Sequence, residues 1–571
     1  MRYSTDWKFT FVPFSLLLLS PFASPAFFPF DVILLLASGS ALLFTGLVLL
    51  QRPHIQLPKT FLIVCVIIMT GQISGYLIAV PAASEAWALH ALLYLSAMLL
   101  FITGINTPCS KLLTLMHIYL LTSLFWSIGG LFVWLGGNDG NAIALGVVTL
   151  IPAPSIKLSG PFLQGNIFAS LIGFSIIFSH WLFLKTGKSI YALAILFFAI
   201  CFIDSLSRGA WISYTIVLFI LLLSMRTVIT QQMMKNIALL WTAALVVGYM
   251  LVELSQPAGM EIVVGNADVS LFQRVYIWLT AFNEFTRSLF LGVGWGQFPT
   301  EFWRSGEVSS ILLKDYESLQ PHNIAFSAHN IFLHAAAEGG LIALIALLWA
   351  TSFLLGKANT FIHNKNSPRL PFALTCLGFL AHAQISTVFS SPLPLLLVAM
   401  FAGISMAPFL RTGTARYTLS RQFKRASAIA IMLTISWVLY SSWQWFNAEA
   451  IVQRLDINNA ESIRTIATGI ADRPRIAAIP LSSLGQTIAM TKQHSNLLVW
   501  MIPFLENSID EVPTVTAHQV LFYAHNYSGN YQRACELGQK IMAMNLIGEI
   551  NRDSYFKVCE GKKSERYNFG L

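Results

Sequence analysis

Three short stretches of this 571-residue chain carry the residue types that acid–base or anion chemistry needs. "FSAHNIFLHAAAEGGLIALIALL", Phe326 to Leu348, holds His329 and Asn330 just ahead of a long apolar run. Near neutral pH an imidazole is the best available general base for a hydroxyl, so His329 is the candidate proton acceptor. Arg208 lies in "DSLSRGAWI" between two apolar runs. A charge there is either a snorkelling helix end or an anion ligand at a membrane surface. Arg274 lies in "LFQRVYIWLTAFNEF", where Phe272, Val275, Trp278, Leu279 and Phe282 recur at helical spacing. That spacing predicts an amphipathic helix lying on a membrane surface, with Arg274 as an anion ligand or a solvated charge. "LGVGWGQF" follows, and its three glycines allow a tight backbone path.

Other catalytic devices are missing. There is no Walker loop, no HExxH helix, no GxSxG elbow and no CxxC pair. His322 and His334 lie near His329, but the spacing matches no usual zinc pattern, so no metal is expected. There is also no Asp-x-Asp pair to hold a divalent ion on a diphosphate. Chemistry on such a group then requires Arg or Lys to neutralise the leaving charge.

The elements that must position these residues are membrane helices. Hydrophobic residues make up 56% of the chain and charged residues 11%, with mean hydropathy +0.66. Windows of about 20 residues without charge match a hydrocarbon core about 30 Å thick, and backbone groups there demand helices. About thirteen such spans are expected: 9–29, 31–50, 60–80, 87–106, 112–135, 166–184, 189–204, 208–225, 236–255, 336–356, 370–390, 392–410 and 426–446. The fold class is therefore an all-α polytopic membrane protein. Its first apolar run lacks a small-residue cleavage pattern and reads as a span, not a signal peptide.

The net charge of +9 could suggest nucleic acid. However, Lys and Arg cluster on every second connection, which is the signature of membrane orientation, and no nucleic-acid partner is expected. The alternation predicts a cytoplasmic N-terminus. Loops of about 136–165 and 256–335, together with the tail 447–571, then lie outside the cytoplasm. The first of these, with Pro152, Pro154, Gly160 and Pro161, reads as a folded-back segment. The chain divides into a core, 1–446, and a small helical domain, 447–571. Within that domain His518 to Asn545 resembles one tetratricopeptide-type hairpin turning at Gly529, with an ordinary helical hairpin as the alternative. Cys535 and Cys559 are the tail's two cysteines and form a disulfide if the compartment is oxidising.

In their order, "SLSRGAW" between two spans, "RVYIW" opening a long loop and "AHNIFLHAAAEGGL" closing it resemble the bacterial O-antigen ligase and protein O-oligosaccharyltransferase superfamily. The resemblance covers roughly residues 30–410. "GPFLQGNIFAS", Gly160 to Ser170, looks like the glutamine-and-asparagine segment of the pilin-type protein O-glycosylating branch. The resemblance implies transfer of a glycan from undecaprenyl diphosphate to a Ser or Thr hydroxyl of a type IV pilin or similar protein. The enzyme would sit in the bacterial inner membrane with its site and tail facing the periplasm. By that analogy His329 is the general base, Arg208 and Arg274 bind the diphosphate, and Gln164, Asn166 and Asn330 position substrate, without a metal or other cofactor. One departure stands out: where members carry an acidic-Tyr-Pro pattern, this chain has "VFSSPLPLLL" with Ser390 and Ser391. The alternatives are a ligase acting on lipid A–core, a polymerase of lipid-linked glycan, or a transporter. Absence of paired inverted repeats argues against the last. Deleting the tail is expected to impair acceptor choice more than donor binding.

Overall fold

A computed structural model describes residues 8–22, 24–25, 29–50, 54–78, 83–135, 143–145, 148–151, 157–162, 164–255, 267–312, 324–364, 366–410, 414–418, 420–452, 459–471, 473–491, 496–543 and 552–561. Pro152, Pro154, His322 and the beginning and middle of the long loop, 256–266 and 313–323, lie outside the described residues.

In chain order the helices are α1 (Lys8–Leu19), α2 (Pro29–Leu50), α3 (Lys59–Ile78), α4 (Ser84–Asn106), α5 (Cys109–Leu135), α6 (Gly165–Thr186), α7 (Ser189–Asp204), α8 (Arg208–Met225) and α9 (Gln231–Ser255). The long loop contributes α10 (Ala267–Arg287) and α11 (Phe298–Leu312), followed by α12 (Ile331–His363), α13 (Leu370–His382), α14 (Pro392–Leu410) and α15 (Arg421–Val452). The tail forms α16 (Ala460–Ala471), α17 (Pro474–Thr491), α18 (Asn496–Ile509), α19 (Val515–Ser528), α20 (Tyr531–Ala543) and α21 (Arg552–Cys559).

Among the described residues nine helices are long and apolar enough to cross a membrane, and four more apolar helices are shorter. Together they coincide with the thirteen predicted runs, so the protein is an all-α, multi-pass membrane protein. Two runs are shortened: the first, expected over 9–29, is α-helical to Leu19 and ends in a 3-10 turn, Ser20–Phe22, ahead of the strand Ser24–Pro25. The span expected over 370–390 is helical only to His382, because Gln384, Ser386 and Thr387 interrupt it before a single 3-10 turn, Val388–Ser390. Short strands accompany the helices. β1 (Ser24–Pro25), β4 (Val148–Ile151) and β3 (Ile143–Leu145) form a small ladder in that order, so part of the folded-back loop is a hairpin. β2 (His54–Pro58) pairs antiparallel with β5 (Thr414–Thr418).

Two compact units divide the chain. The first comprises Met1–Ile67, Leu92–Asn266 and Ala346–Trp443; the second comprises Ile68–Ala91, Ala267–Ile345 and Gln444–Leu571. In the first, α6 is apolar on every face and its span is 94% buried, which makes it the central helix, while the α9 span is only 22% buried. Its seam with α8 and α13 closes tightly. A Cβ on either Gly173 or Gly378 would come within 2.6 Å of the Tyr214 ring. In the second unit the tail packs as successive helical hairpins. Thr514 caps α19 by accepting the Ala517 N–H, and Gly529, at φ 81°, takes the left-handed turn before α20. Ala534 is buried in that hairpin, and Cys535 and Cys559 are joined in a disulfide that ties α20 to α21.

Candidate active site

The predicted residues fall into two groups, one in each unit. In the second unit, His329 immediately precedes the cap of α12. Asn330 Oδ1 accepts the Phe332 and Leu333 N–H groups, each at 3.0 Å, and so satisfies donors that a helix start leaves open. His329 itself has φ +52°. A non-glycine residue in the left-handed region is strained by roughly 1–3 kcal/mol and persists only where its surroundings enforce it. Its Nδ1 is buried without a hydrogen-bond partner among the described residues. Burial, and after it the charge of Arg274, push the imidazole pKa down to about 4. At neutral pH the ring is therefore uncharged and able to accept a proton.

Arg274 sits on α10, whose position is set by polar contacts with α11. Tyr276 donates to the Gly306 carbonyl at 2.6 Å, and Thr280 donates to Ser309 Oγ at 2.8 Å. Between the same helices lies Glu284, 0% exposed, accepting the Ser305 hydroxyl at 3.4 Å. Burial, reinforced by the charges of Glu301 and Glu338, holds its pKa well above the ordinary carboxyl value.

The glycine-rich stretch is a brace for α12. Gly340, at φ 64° and ψ −163°, breaks that helix, and the carbonyls and N–H groups so released pair with the loop. Val293 N–H reaches Ala337 O at 2.8 Å, Gly294 N–H reaches Glu338 O at 3.0 Å, and Leu341 N–H reaches Leu289 O at 2.8 Å. The approach is so close that a Cβ on Gly340 would lie 2.3 Å from the Phe290 carbonyl carbon. Two glutamines with no local sequence signal, Gln72 and Gln297, complete the brace. Gln72 on α3 donates to Leu291 O and Glu338 O and accepts from Trp295 N–H. Gln297 accepts the Ala83 N–H at 3.0 Å and donates to the Ala83 carbonyl at 2.7 Å.

The other group lies in the first unit, where α6 and α8 begin. Asn166 Oδ1 accepts the Ser207 hydroxyl at 2.8 Å, and Gln164 Oε1 accepts the Thr387 hydroxyl at 3.1 Å. Thr387 immediately precedes the segment "VFSSPLPLLL", and its carbonyl accepts the Ser390 hydroxyl at 2.7 Å. Because Ser207 bonds Asn166, its side chain does not cap α8, and the first N–H groups of that helix keep their donor capacity. Arg208, the first residue of α8, is exposed and takes no ion pair or hydrogen bond among the described residues. A helix N-terminus joined to a free guanidinium favours anions. The turn before it is held by Leu158 N–H to Asp204 O at 3.1 Å and contains Leu206 at φ 49°. Leu206 and His329 are the two non-glycine residues with positive φ among the described residues, and each borders a candidate functional group. Beneath the turn Ser170 Oγ lies 3.0 Å from Tyr214 OH and 3.4 Å from His382 Nδ1.

Among the described residues no three His, Cys, Asp or Glu side chains gather as metal ligands. Residues 192–348 match the family model described as O-antigen ligase. The match begins in α7 and ends in α12, so it includes Arg208, Arg274, His329 and Asn330 but neither Gln164 nor Asn166. No curated protein matches the chain.

Proposed function

We propose that this chain, whose residues 192–348 match the family model described as O-antigen ligase, transfers a glycan en bloc from undecaprenyl diphosphate to a Ser or Thr hydroxyl of a periplasmic acceptor protein of the type IV pilin kind. The observation that carries this reading is the His329 imidazole, neutral and with Nδ1 unpartnered among the described residues. His329 takes the proton of the acceptor hydroxyl, and the oxygen attacks the anomeric carbon. The bond from that carbon to the diphosphate oxygen breaks, and the electron pair leaves with the diphosphate.

Arg274 and Arg208 counter the charge that develops there, with the uncapped start of α8 adding its N–H donors. Gln164 and Asn166 position the donor from the start of α6. Asn330 acts through the cap it makes on α12. The site and the tail face the periplasm, in keeping with the basic residues on alternate loops.

The family description itself favours a second reading, in which the hydroxyl belongs to lipid A–core oligosaccharide. Mass spectrometry of pilins and other surface proteins, alongside lipopolysaccharide, from cells with and without the gene separates the two. Loss of glycan from one protein with unchanged lipopolysaccharide supports the protein acceptor. Loss of O-antigen with unchanged proteins replaces it with the lipid acceptor.

A further inference from the structure

In the second unit the turn between α18 and α19 is bound on three sides. Glu511 is 7% exposed, and its carboxylate accepts the Glu85 N–H at 2.9 Å, the Ala86 N–H at 3.0 Å and the Ser84 hydroxyl at 3.4 Å. The two N–H groups are among the first donors of α4, which the helix itself leaves unsatisfied, and a carboxylate also opposes the positive end of the helix dipole. Arg475 donates to the Glu511 carbonyl at 2.9 Å. The neighbouring Asp510 carbonyl accepts the Thr300 hydroxyl, and Arg304 lies 3.3 Å from the Asp510 carboxylate, so the same turn grips the start of α11.

The hydrogen bonds continue from α4 toward His329. Ala83, the residue ahead of α4, is bonded twice by Gln297. The next residue, Phe298, donates its N–H to Glu338 Oε1 at 3.2 Å. Glu338 stands about two turns into α12, the helix capped by Asn330 and preceded by His329. We infer that Glu511 is a positioning residue for the transfer reaction: from the tail it fixes the start of α4 and, through Gln297 and Glu338, the placement of the helix that presents His329. This rests on the reading of His329 as the base. It makes the tail part of the frame of the site, where the sequence suggested a separate module for choosing acceptors.

The test uses full-length protein in its membranes, donor glycolipid purified from the native cells and a purified pilin acceptor. Glu511→Ala, Glu511→Gln and Thr514→Ala are compared for kcat, donor KM, melting temperature and amide hydrogen exchange over residues 291–298 and 331–338. Small displacements of a catalytic group cost up to about 100-fold. Glu511→Ala is therefore expected to lower kcat about ten- to hundredfold, leave donor KM unchanged and raise exchange over 291–298. Glu511→Gln keeps one acceptor oxygen and falls between Glu511→Ala and the native protein. Thr514→Ala removes only the cap of α19, at 3.1 Å, and is expected to lower the melting temperature with kcat unchanged. An unchanged kcat in Glu511→Ala overturns the inference. So does a loss of kcat no larger than Thr514→Ala shows at the same loss of melting temperature. His329→Asn in the same assay keeps the two ideas apart, since full activity there removes the base itself, whatever Glu511 does.

Discussion

His329 combines two features that a purely structural histidine would be expected to shed: a left-handed backbone and a buried nitrogen without a partner among the described residues. Alanine is a poor probe of it, because alanine also resists positive φ. Asparagine adopts that region more readily. His329→Asn is therefore expected to reach normal membrane levels while transfer falls about 10²–10⁴-fold, the usual worth of a general base; immunoblotting and a transfer assay check both halves. The pH profile follows from the same environment. With a pKa of about 4 the imidazole stays unprotonated through neutral pH, so kcat/KM should be flat from pH 8 to about 5 and fall below that. An acidic limb centred near 6.5 would mean that another histidine carries the reaction. Arg208 offers a second residue-level test. Charge-assisted hydrogen bonds are worth about 1.5–3 kcal/mol, so Arg208→Ala should raise donor KM roughly ten- to hundredfold. Arg208→Lys should recover only part of it, since lysine lacks the forked donor geometry. His329 and Arg208 stood out as candidates in the sequence because ionisable residues beside long apolar runs are conspicuous, and Arg274 because it interrupts an amphipathic pattern. Gln72 and Gln297 did not, because each acts on backbone more than 200 residues away, and nothing in a glutamine's local context announces a distant carbonyl.

At the scale of elements, hydrophobic runs predicted helices well because lipid leaves the backbone no alternative. The expectation weakened where polar residues interrupt a run, as after His382. The break in α12 is a further case. "EGG" allows such a break, but only the approach of Phe290 and Leu291 shows why it is needed. The α10–α11 pair can be probed through Glu284. Its folded pKa lies well above the ordinary carboxyl value of 4.5, so the folded chain retains a proton that the unfolded chain releases above that pH. The resulting penalty on stability is absent below pH 4.5 and grows as pH rises. Glu284→Gln removes it. The melting temperature is expected to rise by roughly 2–4 °C at pH 8, the shift that about 1 kcal/mol produces in a domain of 150–250 residues, and to stay unchanged near pH 4.5. An equal shift at both pH values would mean that Glu284 is charged in the folded protein.

For the whole molecule, the grouping of Gln444–Leu571 with Ile68–Ala91 and Ala267–Ile345 bears on how truncations behave. The ring of Trp303 on α11 lies 3.4 Å from that of His518, with Lys540 5.0 Å from its centre, so removing the tail uncovers a buried aromatic as well as the start of α4. A chain ending at residue 452 is expected to lose donor turnover and acceptor transfer together, which assays of donor hydrolysis and pilin modification would read in parallel. Loss of acceptor transfer alone would restore the tail as an independent recognition module. The tail's helical character was readable from its amphipathic periodicity, whereas its attachment was not, because it depends on single carboxylates such as Glu511. The bond between Cys535 and Cys559 adds a consequence of another kind. Such a linkage persists only where thiols are oxidised, so trapping these two cysteines in intact cells reports the compartment in which the chain finishes. Compared with the location of the N-terminus, that report shows whether the chain crosses the bilayer an odd or an even number of times.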